Sequence, residues 1–396
     1  MRLLLVTAGS RGDVEPFVAL ARAAVAAGHD VRVAAPDNSG VVADGVDLVS
    51  LGVDYSGLIE TQGVSIRAAL RNYRTAVKPI MRGVIVGAAR AALDFRPDII
   101  VGHPKVLSAP LIADSLGIPH VVVELVPTIT PTRAFPAAGT ITTDLGPLNK
   151  LSYLAASGAT GMFRRELDEA ARLLGVRRGR RTSPAATLLP ISPALLERPD
   201  DWPPSVHITG PWVADEPAGI LDPEVVAFVE GGSFVYAGFG SMAVGDAGAR
   251  GHALVDAVRA RGERLLVTTG LGGLEVAPDL RGDDLLVVPS APHDLVLPRA
   301  TAAVHHGGIG TVQAAMRAGV VSIVVPFIAD QPFWGAMLHR RGFAPAPIPQ
   351  RRLDATRVDA ALDAVPQYRE SVAVVSERMH TENGMAAALA LFDRLG

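Results

Sequence analysis

Val304-His305-His306-Gly307-Gly308-Ile309-Gly310-Thr311 is the stretch on which the fold of this chain turns. Ala302–Val304 has the length and apolar character of a buried strand, and Val312–Ala318 follows it at helical spacing. Between them, glycines at 307, 308 and 310 let a backbone approach a ligand closely. The helix that follows presents unpaired N–H groups and a partial positive charge. Strand, glycine turn and helix N-terminus in that order suit a phosphate or diphosphate. A plain tight turn capped by Thr311 would satisfy the same residues. The loop lacks Gly-Lys-Ser/Thr, so it is not a Walker loop, and its adjacent histidines have no His-Glu-x-x-His context for zinc.

The same alternation extends outward in both directions. Ser233–Ala237, Leu265–Thr269, Leu285–Val288 and Ser322–Val325 are further short apolar strands, most of them separated by helical patterns. Near the start, Arg2–Thr7, Val31–Val33, Pro97–Val101 and Pro119–Val123 alternate with helical runs after Pro16 and over Leu107–Leu116. This pattern predicts βαβ units and parallel sheets, an α/β class. Proline-rich passages at Arg198–Pro204 and from Thr209 to Pro223 divide two such series. The expected division is a domain over 1–205, a linker over 206–222, a domain over 223–380 and a last helical segment over 381–396. Glu124–Leu145 reads as a long loop lining a site, and Leu151–Leu174 as helix.

Composition narrows the function. The 396 residues carry 37 Lys+Arg against 40 Asp+Glu, a net charge of −3 without like-charge blocks, which argues against nucleic acid and membrane surfaces as partners. Cysteine is absent, which excludes disulfides, thiolate metal sites and cysteine nucleophiles. Mean hydropathy is high at +0.29. The most apolar stretch, Ala76–Leu93, is nevertheless broken by Lys78, Pro79, Arg82 and Arg90, so no spanning helix is expected. The apolar run after Arg2 is too short for a secretory leader, and a cytoplasmic location is expected.

Ligands of open α/β sheets collect at the carboxyl ends of the strands. Gly238-Phe239-Gly240-Ser241-Met242-Ala243 fits G-x-G-x-x-[GA] formally. The next helix starts too far on, near Ala249, and the next strand ends at Thr269-Gly270 without an acidic residue for a ribose, so NAD is not expected. Ser241 reads there as a phosphate donor or a solvent turn. In Phe327–Trp334, Asp330 and Gln331 offer acceptor and donor groups suited to vicinal sugar hydroxyls, or Asp330 caps a helix whose first turn holds Pro332. Pro289-Ser290-Ala291-Pro292-His293-Asp294 is another post-strand loop. In Gly9-Ser10-Arg11-Gly12-Asp13, Asp13 is a candidate base where a helix dipole favours a carboxylate, or only a helix-terminal residue. His103 closes another strand, as an aid to that base, an acceptor contact or an ordinary loop histidine.

In this order, Thr7–Pro16, Gly210-Pro211-Trp212, Gly238–Met242, His305–Thr311 and Ala329–Trp334 resemble the GT-B glycosyltransferases of family GT1, in particular the vancomycin-group antibiotic enzymes and the sterol glucosyltransferases. The resemblance covers residues 1 to roughly 345. It implies two Rossmann-like doubly wound domains facing across a cleft, the acceptor on the first and a nucleotide diphosphate sugar on the second. It also implies inverting transfer of a hexose without metal or other cofactor, and the chain carries no Asp-x-Asp triplet. By the same resemblance Ser241, His306, Gly307, Gly308, Gly310 and Thr311 hold the diphosphate, and Pro289, Ser290, Ala291 and His293 meet the nucleobase. Asp330 and Gln331 meet the sugar, Asp13 and His306 are catalytic, and Ser10, Arg11 and His103 face the acceptor. Other members carry a histidine in the first loop, where this chain has Asp13. The last helix is expected to cross back onto the first domain.

The expected acceptor is a lipophilic natural product, antibiotic, polyketide, peptide or sterol-like, for which Tyr55–Leu93 and Glu124–Phe163 are apolar enough. UDP- and dTDP-sugars stand as equal donors, and monomer and homodimer as equal states. A sugar-nucleotide epimerase of the same fold is the alternative enzyme. A catalytically silent partner of another transferase is a third reading, against which Asp13, His306 and the Asp330-Gln331 pair argue.

Overall fold

β1 (Arg2–Val6) sends Leu3 and Leu5 to one face of a sheet and Leu4 and Val6 to the other, all fully buried. A strand apolar on both faces belongs inside a parallel sheet with helices on each side. The computed structural model has that arrangement; it describes residues 1–54, 73–154, 159–179, 183–213 and 221–396. Contacts divide the chain into one unit of Met1–Ala137, Thr143–Val213 and Glu382–Gly396, and a second of Ala138–Thr142 and Ala214–Thr381.

In the first unit β1 is joined by β2 (Asp30–Asp37), β3 (Asp47–Asp54), β4 (Ile99–Gly102), β5 (His120–Val123), β6 (Ala186–Leu189) and β7 (Val206–Ile208). The seven strands are all parallel, in the order β3-β2-β1-β4-β5-β6-β7. α1 (Arg11–Ala26) packs Val14, Phe17 and Val18 on one face. α2 (Lys78–Phe95), α3 (Ala109–Leu116) and α4 (Arg164–Leu173) cover the other with Ile85, Ile112 and Leu167. α3 stops at Gly117, whose φ of +67° suits a residue without Cβ.

Three expectations for this unit need correcting. Val206–Ile208 was expected within the linker, but it pairs with β6 from Thr187↔Val206 to Leu189↔Ile208; three residues are too few to show a period. The Pro-rich turn before it is no connection either, because the Arg198 guanidinium binds the carbonyls of Trp202, Pro203 and Val206 and folds the turn onto the unit. Residues 214–220 of the expected linker lie outside the described residues, as do 55–72 and 155–158 of the apolar acceptor segments. The helix expected over Leu151–Leu174 is interrupted by turns at Tyr153 and Phe163, with Asn149–Ser152, Ala159–Met162 and α4 among its helical pieces.

The second unit runs α5 (Pro223–Glu230), β8 (Phe234–Gly238), α6 (Ala247–Ala260), β9 (Arg264–Thr268), β10 (Leu285–Val288), β11 (Ala300–His305), α7 (Ile309–Arg317), β12 (Ser322–Val324), α8 (Gln331–Arg340), α9 (Ala355–Ala364) and α10 (Arg369–His380). Its strands are also parallel, in the order β10-β9-β8-β11-β12. α11 (Gly384–Leu395) then returns to the first unit, burying Met385, Ala388, Leu391 and Phe392 beside Leu3, Leu5 and Phe17. Trp212 fixes it there, donating from Nε1 to the Gly384 carbonyl at 3.1 Å and meeting the Phe17 ring edge-on at 6.3 Å. A Cβ on Gly384 would lie 2.2 Å from the Gly210 oxygen, so Gly210-Pro211-Trp212 is the seat of the last helix. Among the described residues no helix is long and apolar enough to cross a membrane.

Each sheet reverses its strand order once, between β1 and β4 and between β8 and β11. The crevice outside the carboxyl ends at such a reversal is where open α/β sheets bind ligands.

Candidate active site

At the β1/β4 reversal the loop after β1 carries Asp13 and the loop after β4 carries His103 and Lys105. Asp13 stands in the first turn of α1, and its Oδ2 accepts the Ser10 N–H at 2.8 Å. Its other oxygen, Oδ1, lies 3.3 Å from Lys105 Nζ and 3.4 Å from His103 Nε2. Gly9 makes this possible: its φ is +147°, and a Cβ there would sit 1.9 Å from Asp13 Oδ2. Burial pushes the Asp13 carboxyl upward, but Lys105, His103 and the Ser10 amide outweigh it and hold the pKa below its ordinary value. The Asp13 side chain keeps 23% of its surface exposed, so an ionised carboxylate is presented at the loop surface.

His103 plays a different part. Its Nδ1 accepts the Lys105 N–H at 3.1 Å, which leaves the proton of a neutral ring on Nε2, toward Asp13. Burial, then the Lys105 charge, pull its pKa down to about 3, so the ring is neutral at ordinary pH. Ser10 flanks Asp13, whereas Arg11 is exposed and paired with Glu15 one turn on at 3.2 Å. Lys105 was not anticipated from the sequence, although its charge directly after the Gly102-His103-Pro104 turn was the available signal.

At the β8/β11 reversal two glycine loops meet, with a Cβ on Gly240 falling 3.7 Å from His306 Cε1. His305 is fully buried, and its Nδ1 accepts the Gly307 N–H at 3.1 Å, fixing the turn from beneath. Gly307 has φ +88°, and Gly308 leaves room for His306, whose Nε2 would be 2.6 Å from an added Cβ. Burial, with His293 nearby, lowers the His306 pKa to about 4, so this ring acts as a neutral hydrogen-bonding group. α7 begins directly after Gly308, so Thr311 lies inside its first turn and is not the expected cap. Gly310 is exposed, with no protein atom within 4 Å of a Cβ position. Ser241 is half-buried in the facing loop.

In the post-β10 loop, Pro289 and Ser290 are exposed and Ala291 is half-buried. His293 bonds through Nε2 to the Tyr236 hydroxyl of β8 at 3.0 Å, and that hydroxyl meets Thr268 Oγ1 at 2.9 Å. After β12, Asp330 is half-buried, and its Oδ2 accepts the Trp334 indole N–H at 2.8 Å; its side chain makes no capping bond to α8. Gln331 is 5% exposed, and its Oε1 accepts the N–H groups of Phe327 at 2.8 Å and Ile328 at 3.0 Å. A further residue that sequence reading missed is Glu124, fully buried after β5, whose carboxylate gathers the N–H groups of Thr128 and Ile129, each at 3.1 Å. Burial raises its pKa against these bonds.

This arrangement offers an ionised carboxylate on one sheet, and on the other a helix N-terminus behind a glycine turn. The second is a natural anion seat. Comparison with known proteins gives it a family. Residues 276–388 match the model described as Erythromycin biosynthesis protein CIII-like, C-terminal domain. O-mycaminosyltylonolide 6-deoxyallosyltransferase of Streptomyces fradiae is 32% identical over 420 residues, covering 99% of this chain and 97% of that protein. A sterol 3-beta-glucosyltransferase of Arabidopsis thaliana is 28% identical over 418 residues; the match covers 99% of this chain and spans 65% of the relative's length. The crystal structure of the glycosyltransferase SnogD from Streptomyces nogalater superimposes with a TM-score of 0.72 at 24% identity, covering 100% of both chains. Full-length identity to the Streptomyces fradiae enzyme, on top of the shared fold, places this chain in family GT1 of the GT-B glycosyltransferases.

Proposed function

We propose that this glycosyltransferase moves a hexosyl group, with inversion and without a metal, from a UDP- or dTDP-sugar to a hydroxyl of a lipophilic natural product. The observation that carries the reading is Asp13, held ionised at the β1/β4 reversal by Lys105 and the Ser10 amide. A carboxylate with a pKa of about 4 cannot deprotonate an alcohol in advance. Proton transfer to Asp13 Oδ1 therefore accompanies formation of the bond between the acceptor oxygen and the anomeric carbon. As that bond forms, the bond from the anomeric carbon to the leaving phosphate oxygen breaks, and the diphosphate takes up the electron pair. The charge that develops is met by the α7 N-terminus, the loop amides, Ser241, Thr311 and neutral His306. The Pro289–His293 loop takes the nucleobase and Asp330 the sugar. Lipophilic acceptors of the related macrolide and sterol enzymes support the acceptor class.

A donor panel of UDP- and dTDP-hexoses against polyketide, peptide and sterol acceptors tests this, with nucleoside diphosphate release and product mass as readouts. Release is expected to depend on acceptor and to persist in chelator. Asp13→Asn is expected to lower it about 10²- to 10⁴-fold, the usual worth of a positioned base, while nucleotide still binds. Acceptor-independent conversion of the donor would identify an epimerase instead, and loss of activity in chelator would end the metal-free mechanism.

A further inference from the structure

The arginines of α4 and of the loop after it take no part in the site described above, and they gather on one side of the helix. Leu167, Ala170 and Leu174 go into the core, while Glu166 and Glu169 turn to α2. There Glu166 Oε1 lies 3.3 Å from Lys78 Nζ, and Glu169 accepts from Arg82 Nε at 2.9 Å. The stripe left for solvent is Arg165, Asp168 and Arg172, at spacings of three and four residues. Arg178 folds back from the loop and takes Asp168 at 2.8 Å. Every acid of the helix is thus bound to a cation. Arg165 and Arg177, both exposed, have no acidic partner among the described residues, and Arg172 has only Glu169, which Arg82 already holds. Arg165, Arg172, Arg177 and Arg178 line an open groove of about 590 Å³. Residues 78–95 and 164–179 together carry eight Lys+Arg against four Asp+Glu, in a chain whose net charge is −3. The fourth of those acids, Asp94, is held by Arg32. Two apolar side chains bracket the helix: Met162 before it is 51% exposed, and Leu173 at its end 42%.

We propose that this face of α4 is a docking surface for an anionic phospholipid bilayer: Arg165, Arg172 and Arg177 bind headgroup phosphates, and Met162 and Leu173 enter the interface between them. A guanidinium presents a planar fork of donors that pairs with phosphate oxygens, and its charge is available here because the nearby acids are already taken. Cations near an anionic bilayer add to one another, so a few on one face suffice for reversible binding. A soluble polyanion would satisfy the arginines but gain nothing from the two exposed apolar side chains, whereas a bilayer surface takes up both. The near-neutral total of the chain argues against a membrane surface only if its charges are evenly spread, and the α2–α4 face shows that they are not.

Co-sedimentation of the full chain with vesicles of phosphatidylcholine, with and without phosphatidylglycerol, tests this without reference to donor or acceptor. The expected result is partitioning onto the phosphatidylglycerol vesicles alone, weakening as salt is raised. Arg165→Gln, Arg172→Gln and Arg177→Gln combined should lower the partition coefficient roughly a hundredfold, about fivefold for each cation, at an unchanged Tm. The same charge loss on the second unit, Arg351→Gln, Arg352→Gln and Arg378→Gln, should leave it within about twofold of wild type. Met162→Gln with Leu173→Gln should weaken binding severalfold and keep its salt dependence. Wild-type protein that binds both vesicles equally, or neither, overturns the proposal. So does a triple α4 variant that partitions like wild type or no worse than the second-unit control. A Met162/Leu173 variant that binds as wild type does would give the face to a soluble polyanion and overturn the bilayer as its partner.

Discussion

Asp13 bonds to the first turn of α1 through one carboxylate oxygen and faces Lys105 and His103 with the other. Its fixed aim and its ionisation therefore come from different neighbours. The groups around it are Lys105 and His103 from the β4 loop and Ser10, Arg11 and Glu15 from its own, of which Arg11 and Glu15 are tied to each other. Replacing Lys105 with Met removes the nearest cation and lets the Asp13 pKa rise. A base whose pKa is depressed in the native state stays ionised as pH falls; once the depression is relieved, protonation sets in earlier. The acidic limb of the kcat/KM profile is therefore expected to move to higher pH in Lys105→Met and to stay in place in Lys105→Arg. An unmoved limb in both would show that Lys105 does not act on the base. Asp13 was legible in the sequence because a helix start has a dipole. Lys105 was not, because its contact spans 92 positions and exists only because β4 lies beside β1.

The N-terminal turn of α7 gives a test in which stability and function move in opposite directions. Gly310 is helical, exposed and free of protein atoms around its Cβ position, so Gly310→Ala should stabilise α7 by roughly 0.5–1 kcal/mol. In the proposed donor site the same methyl stands where the diphosphate would approach the helix amides. A slightly higher Tm with weaker nucleotide binding is expected; unchanged binding by calorimetry would remove the anion from this turn. Elements of this kind were the legible part of the fold: apolar strands followed by glycine turns betray themselves in Ala300–His305 and Phe234–Gly238. β3 was missed because at a sheet edge only Leu51 and Val53 of its residues are buried and Ser50 and Gly52 break its apolar pattern, and β6 and β7 because four and three residues carry no readable period. The commitment of the Gln331 amide was equally hidden, since Asp-Gln reads alike whether the amide points to solvent or back to Met242.

At the scale of the molecule the chain is two parallel-sheet units, the first of which takes its last helix from the far end of the sequence. Phe392 is fully buried against the core that holds Leu3 and Phe17. Truncating it to Ala is expected to cost about 3–5 kcal/mol, all of it in the first unit. Calorimetry should show one transition moving down while the transition that nucleotide stabilises stays in place, and equal shifts of both would mean the units unfold as one. The returning helix also sets an order of events during synthesis. β1 and α1 emerge early, but one face of their core stays uncovered until residues 384–395 follow, by which time every strand and helix of the second unit has been made. The half that begins first is completed last, and through that interval its uncovered leucines and Phe17 are the surface a nascent-chain chaperone would hold.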